Sequence, residues 1–248
     1  MKRRLAAFYS SGDPEQWRRI LGEGLHYHHG FFMGQEDLET GACQAVRRFH
    51  RFIPRCATVL DAGCGWGGPA LMLQGEKQCE VDGVTISRSQ AEYCRRHGLQ
   101  VRCSDLEERP PKNNYDVIFM LEALSHILDK RRLLGVFRTK ATRLILSVNC
   151  VAEDFQGDRL MFSNTMHLCK RSELERDLLS AGWRIAYAAN RRAQAIPSLV
   201  YWKANFDRVF AKRMPPGHLG AHYRYTESAL TSIIEWCRTF PLLDIVAD

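Results

Sequence analysis

Short apolar runs alternate with amphipathic stretches through the middle of this chain, and each run ends in polar residues. Val59-Leu60 leads into Asp61, residues 80–90 form a short apolar strand that enters a polar turn, and Val101 to Leu106 and Tyr115 to Glu122 repeat the form. Arg143 to Asn149 makes a fifth strand. Runs of this length, bounded by turn residues, predict buried strands. Between them, helices are predicted over 68–75, 87–97 and 129–139. Residues 41–53 predict an amphipathic helix with Ala45, Val46, Phe49 and Phe52 on one side. Further along, 151–167 is a polar insertion, Lys170 to Ala181 is a helix that Gly182-Trp183 ends, and Arg184 to Ala188 starts another strand. Residues 199–211 and 226–240 predict helices separated by Pro215-Pro216-Gly217, and a helical stretch lies near 14–22. This alternation predicts an α/β fold, with a Rossmann-like parallel sheet and helices on both faces. A single domain over 1–248 is expected: an N-terminal segment over 1–40, a core over 41–150, and the remaining strands and insertions over 151–248.

A chain of 248 residues, 45% hydrophobic and 25% charged, suits one globular domain with a sizeable core. No apolar run reaches the roughly 18 residues of a membrane span. Met1-Lys2-Arg3-Arg4 is followed by no apolar stretch of signal-peptide length, so the expected location is cytoplasmic. The nine cysteines include no CxxC pair and no metal-ligand spacing; reduced, mostly buried thiols and no metal site are expected. The formal charge of +7 comes with basic pairs at Arg3-Arg4, Arg18-Arg19, Arg47-Arg48, Arg95-Arg96 and Arg191-Arg192, and with Lys130-Arg131-Arg132. Gathered on one face, such groups bind RNA or an acidic carrier. Scattered at helix positions they read as solvated faces, and no nucleic-acid partner is expected.

Val59-Leu60-Asp61-Ala62-Gly63-Cys64-Gly65-Trp66-Gly67-Gly68-Pro69-Ala70 describes a strand that turns sharply into a helix. Gly63 admits a positive φ, and Gly65 has no Cβ to hold a ligand off the main chain. A cofactor can therefore lie against N–H groups at a helix N-terminus. Dinucleotide sites use a similar device but carry an acid at the tip of the second strand; here that tip carries Thr85, Ser87 and Gln90. The order of glycine loop, "GVTIS..Q", "SDL" and "YDVIF.LE" resembles the class I S-adenosylmethionine-dependent methyltransferases. Within them it is closest to the small-molecule branch of tocopherol, sterol, coclaurine N- and cyclopropane fatty-acid-type enzymes. The resemblance implies S-adenosyl-L-methionine as cofactor, with its methionine end over Gly63, Cys64 and Gly65 and a helical substrate cap built from the N-terminal segment and late insertions. It implies that Asp61 orients the loop and reaches the amino group, directly or through water. Thr85, Ile86 and Gln90 would stand at the ribose, Asp105 and Leu106 at the adenine, and Leu121 near the sulfonium. Cys64 has no activating base beside it in sequence and reads as packing near the cofactor, not as a nucleophile. The (N/D)PP(Y/F/W) motif of base N-methyltransferases is missing after the fourth strand, since Pro110-Pro111 precedes it.

Phe8-Tyr9-Ser10-Ser11-Gly12-Asp13 and Leu25-His26-Tyr27-His28-His29-Gly30-Phe31-Phe32 resemble elements that close these small-molecule sites. The match places Tyr9 and Tyr27 near the sulfonium, where aromatic faces attract a cation. His26, His28 and His29 lack acids or cysteines at ligand spacing and read as a polar lid. Leu121 to Lys130 resembles the family's "E…EHM…K" segment: Glu122 and His126 match, and Ser125 stands in place of a second Glu. On a helix, i and i+4 share one face, which would aim both side chains at the acceptor. His126, with an unperturbed pKa of about 6.5, suits a general base for a hydroxyl acceptor; its alternative is a helix cap that touches only the cofactor. Glu122 orients that base or binds a substrate polar group, and the missing second Glu weakens the inference to amines. Asn190 to Trp202 resembles a region that shapes substrate pockets, although Trp202, Phe206 and Phe210 at helical spacing read as core. The chain is most similar to bacterial tailoring O-methyltransferases of the microcystin type, on "LHYH", "LDAGCGWGGPA", "SLVYWK.N" and "FPLLDIVAD". O-methylation of a small-molecule, peptide or polyketide natural product is expected. N- or C-methylation of a small molecule or isoprenoid, and a non-catalytic cofactor-binding partner subunit, stand as alternatives. The sequence sets neither the acceptor nor the oligomeric state.

Overall fold

The computed structural model describes residues 2–161, 165–211 and 213–248. Five strands stand where the apolar runs predict them: β1 (Thr58–Ala62), β2 (Glu80–Thr85), β3 (Gln100–Cys103), β4 (Tyr115–Leu121) and β5 (Ala141–Val151). β1 and β4 are buried along most of their length, as parallel strands covered on both faces must be. Alternation still sorts their side chains. Leu60 and Ala62 of β1, with Ile118 and Met120 of β4, pack against Leu133, Leu134 and Phe137 of α6 (Lys130–Arg138) and Leu174 and Leu178 of α7 (Arg171–Ser180). Val59, Val117 and Phe119 join Val46 of α3 (Leu38–Arg47), Leu73 of α4 (Gly68–Lys77) and Cys94 of α5 (Arg88–Arg96). Helices thus cover both faces.

The sheet runs β3-β2-β1-β4-β5-β10-β9, with β9 (Ile185–Asn190) and β10 (Leu242–Ala247). Pairing is parallel from β3 to β5, and β10 is antiparallel to both of its neighbours. Chain order reverses at β1, and the crevice outside the carboxyl ends of strands at such a switch point is where ligands bind. The sequence pattern predicts no strand at β10. Its six residues are all buried because it is inserted between β5 and β9, a placement set by partners distant in sequence.

Other boundaries also differ. α1 (Lys2–Ser10) forms where no helix is predicted. α3 starts early, capped by Asp37, whose side chain accepts the Thr40 N–H, and a separate 3-10 turn covers His50–Phe52. α8 (Arg192–Phe210) contains Pro197 instead of following it; the backbone bond that Pro forgoes is offset by buried Leu199, Trp202 and Phe206. The predicted 226–240 helix divides into α9 (Gly217–Thr231) and α10 (Ile233–Thr239). In the polar insertion, β6 (Leu160–Met161) pairs antiparallel with β7 (Met166–His167), and β8 (Cys169–Lys170) pairs with β5; residues 162–164 lie outside the described residues. Trp17, Ile20 and Leu21 of α2 (Pro14–Leu21) pack with Leu199, Trp202 and Phe206 of α8 and Tyr223 of α9 in a third core, which reaches the glycine loop through Trp66. Among the described residues, no helix is long and apolar enough to cross a membrane.

Candidate active site

A cavity of about 540 Å³ opens at the carboxyl ends of β1, β2 and β4. Gly63, with φ +97, turns the chain there; a Cβ on it would overlap that of Ala123, so the turns after β1 and β4 meet main chain to side chain. Gly65, with φ +54, borders the cavity, and a Cβ there would meet only the Tyr27 Cβ, at 3.8 Å. The space over Gly65 is therefore left for a ligand. The N–H groups of Gly63 and Cys64 donate to Val84 O at 2.8 and 3.0 Å. They pin the loop to β2, and of Gly63, Cys64 and Gly65 the two glycines border the cavity. Cys64 packs under the loop in the core shared with Cys94.

Asp61 is buried behind this wall, and its Oδ2 has no hydrogen-bond partner. Burial pushes its carboxyl up to about 7, since desolvation disfavours the charged form. Thr85 Oγ1 donates to Gln90 Oε1 at 2.8 Å, and Ser87 N–H donates to Thr85 Oγ1 at 3.2 Å, so the second-strand turn presents a fixed polar edge. Ile86, Leu106 and Leu121 supply apolar wall. Asp105 borders the cavity and also caps its own turn, accepting the Glu107 N–H at 2.8 Å. Ser104 Oγ is buried without a partner. An unsatisfied buried acid, open main chain at Gly65 and a polar second-strand edge fit a long ligand with an ammonium end and a sugar, as the implied cofactor has.

The opposite wall is aromatic and basic. Tyr9 O–H donates to His126 Nε2 at 2.8 Å, and His126 Nδ1 donates to Thr165 O at 2.8 Å. A carbonyl only accepts, so His126 is the Nδ1–H tautomer. Burial pushes the His126 imidazole down to about 4 and raises the Tyr9 hydroxyl, so both stay neutral near pH 7. Tyr27 O–H lies 2.7 Å from His218 Nε2, and the Tyr9 and Tyr27 rings meet edge to face with centroids 6.2 Å apart.

Glu122 and His126 share the cavity but not a helix. Glu122 has φ +56 at the end of β4, and His126 ends a 3-10 turn over Leu124–His126. The helical spacing argument is therefore corrected: the left-handed residue redirects the chain, and Glu122 turns to other partners. Its Oε2 accepts from His29 Nδ1 at 2.6 Å and Asn149 Nδ2 at 3.1 Å, and its Oε1 from His29 N–H at 2.9 Å and Arg191 Nη2 at 3.3 Å. Burial pushes the Glu122 carboxyl up, but His29 and Arg191 outweigh it and hold the group well below the usual range. Burial lowers His29 by more than Glu122 raises it. The pair is a carboxylate accepting from a neutral imidazole.

Sequence reasoning missed Asn149, His222 and Tyr225 on the cavity wall, where His29, read as lid, and Trp202, read as core, also stand. Trp202 belongs to core and cavity at once. Arg191-Arg192, read as solvated, is buried: Arg191 Nε bonds Asp244 Oδ1 at 2.9 Å, and Arg192 Nη2 bonds Asn149 Oδ1 at 2.5 Å. Arg48 joins from α3, with Nε 2.6 Å from Asp244 Oδ2. The side chains of the Arg3-Arg4 pair lie outside the described residues.

Residues 59–144 match the family described as a methyltransferase domain. A probable chloroplastic tocopherol O-methyltransferase of Oryza sativa subsp. japonica is 27% identical over 195 residues, covering 69% of this chain and 53% of its own. A 27-O-demethylrifamycin SV methyltransferase of Amycolatopsis mediterranei is 28% identical over 124 residues, covering 45% of each. The chain thus spans about half the length of these curated relatives. In fold it is similar to a coclaurine N-methyltransferase bound to N-methylheliamine and S-adenosylhomocysteine, with a TM-score of 0.80 and 16% identity over 100% of this chain and 86% of that one.

Proposed function

We propose that this chain, a class I S-adenosylmethionine-dependent methyltransferase of the small-molecule branch, methylates a hydroxyl of a small-molecule, peptide or polyketide natural product. The observation that carries the reading is the fixed His126 tautomer, whose Nε2 lone pair meets the Tyr9 hydroxyl in the same cavity as the glycine loop. When bound, the cofactor supplies an activated methyl on a sulfonium. Asp61, behind the loop, would hold the ammonium end directly or through water, and the Thr85–Gln90 pair and Asp105 would take the ribose and adenine. Leu121, Tyr9 and Tyr27 would exclude water, and the two tyrosine rings would offer their faces to the positive charge.

The acceptor hydroxyl enters at the Tyr9–His126 pair. The proton that this hydroxyl sheds on methylation would pass to His126 Nε2, directly or through the Tyr9 hydroxyl. The imidazolium so formed keeps its Nδ1–H on Thr165 O. Glu122 acts apart from this base: it holds His29 at the cavity wall. Its charge is already met by His29, Asn149 and Arg191, which favours oxygen over an alkene acceptor, whose cation would need a free carboxylate.

The test is calorimetric titration of S-adenosylhomocysteine, followed by a methyl-transfer screen over peptide, polyketide and isoprenoid acceptors. Micromolar binding and a product methylated on oxygen are expected. A methyl found only on nitrogen or carbon would replace the hydroxyl reading, and absence of binding would remove the cofactor assignment.

A further inference from the structure

The histidines between Gly24 and Gly30 do not form a uniform lid. His29 lines the cavity, whereas His26 faces α3. His28 Nδ1 lies 3.0 Å from His29 O; a carbonyl only accepts, so His28 carries its proton on Nδ1. Its Nε2 is then an acceptor, 3.2 Å from His26 Nδ1, which must donate. The group left on His26 is the Nε2 lone pair, and it faces Cys43 Sγ at 3.9 Å. Glu39 and Cys43 are four residues apart on α3 and so share its face. One ligand atom each from His26, Glu39 and Cys43 lies within 4.8 Å of the other two. Glu39 Oε1 also accepts the Gly24 N–H at 3.1 Å, tying the histidine segment to α3.

We propose that His26, Glu39 and Cys43 bind one divalent transition-metal ion, Zn²⁺ in preference to Mg²⁺ or Ca²⁺. Imidazole nitrogen, thiolate sulfur and carboxylate oxygen are zinc donors, with bonds of about 2.0–2.3 Å, so modest side-chain rotations close the set. Sulfur and nitrogen donors select against the hard cations. Zinc histidines characteristically donate their other ring N–H to an orienting acceptor, and His28 is that acceptor for His26. On binding, the Cys43 S–H bond breaks, its proton leaves to solvent, and a sulfur–metal bond forms. The thiolate and the Glu39 carboxylate then balance the two positive charges, and water takes the open fourth position. Glu39 and Cys43 are only half-buried, which gives the ion a route in. The ion would clamp the segment that carries Tyr27 and His29 onto α3.

The test uses the full chain, stripped with EDTA and desalted, then titrated with Co²⁺ and separately with Zn²⁺ and Mg²⁺. One equivalent of Co²⁺ is expected to give a thiolate charge-transfer band that Zn²⁺ abolishes, and Zn²⁺ but not Mg²⁺ raises Tm. Cys43→Ser should lose the band. His28→Ala should keep it with affinity about 10- to 100-fold weaker. If Cys43→Ser does not fold by circular dichroism, Glu39→Gln replaces it, with the band retained and Co²⁺ bound at least about 10-fold more weakly. No thiolate band in the unmodified protein, a band unchanged in folded Cys43→Ser, or unchanged affinity in Glu39→Gln would overturn the site.

Discussion

Burial acts in opposite directions on Asp61 and His126, and both shifts are measurable. With its carboxyl pushed up to about 7, Asp61 disfavours the cofactor-free fold increasingly as pH rises from its unfolded value toward 7. Asp61→Asn should therefore raise the Tm of the cofactor-free protein at pH 8. It should also weaken S-adenosylhomocysteine binding about 10- to 100-fold, the value of a charge-assisted bond of about 1.5–3 kcal/mol. Equal affinity in calorimetry would show that Asp61 serves the loop alone. His126, pushed down to about 4, is neutral throughout the working range. The pH–rate profile of a hydroxyl acceptor should then show no His126 inflection near 6.5. His126→Ala should keep cofactor affinity while kcat falls about 10²- to 10⁴-fold; unchanged turnover would remove it as the base. Both residues were legible from short motifs, because a strand end and its turn are local. The left-handed Glu122 was not, since nothing in Leu121-Glu122-Ala123 marks a positive φ in a non-glycine residue.

At the scale of elements, β10 does most of what the pattern of apolar positions did not foretell. Its Asp244 receives Arg48 from the end of α3 and Arg191 from the start of α8, and Arg191 passes the contact to Glu122 at the end of β4. Four elements meet through charges that are buried yet paired. Removing one partner of a buried ion pair costs about 3–5 kcal/mol because it strands the other, and Asp244→Ala takes the carboxylate from Arg48 and leaves Arg191 with Glu122 alone. Its Tm should fall by about 10 °C or more, at about 2–4 °C per kcal/mol for a chain of this size. A shift under about 2 °C would mean that the cluster is solvated. Arg191-Arg192 resembles any other basic pair in sequence, so its burial follows from the position of β10 alone.

For the whole molecule, the cap and lid gather histidines out of water. Burial pushes His26 and His218 down to about 3 and His28 and His126 to about 4, against about 6.5 unfolded. Below pH 6.5 the unfolded chain binds these protons and the folded chain does not, so stability is present above about 6.5 and lost as pH falls. Each group contributes up to about 1.4 kcal/mol per pH unit in that window. Thermal unfolding should move down by at least about 10 °C between pH 7.5 and pH 5; a flat Tm would contradict the burial of these rings.

The sequence by itself determined the strand-and-helix rhythm, the glycine turn after β1, the polar tip of β2 and the positions of Asp105 and His126. These are relations between residues a few places apart, where the periodicity of a helix or strand and the φ demands of a turn act directly. The tertiary structure alone decided that β10 enters the sheet antiparallel, and that Tyr9 meets His126 across 117 residues. It also brought Arg191 to Glu122 and set His26 against Cys43. Those pairings depend on how the chain folds back on itself, because the free energy that selects them comes from burying both partners together.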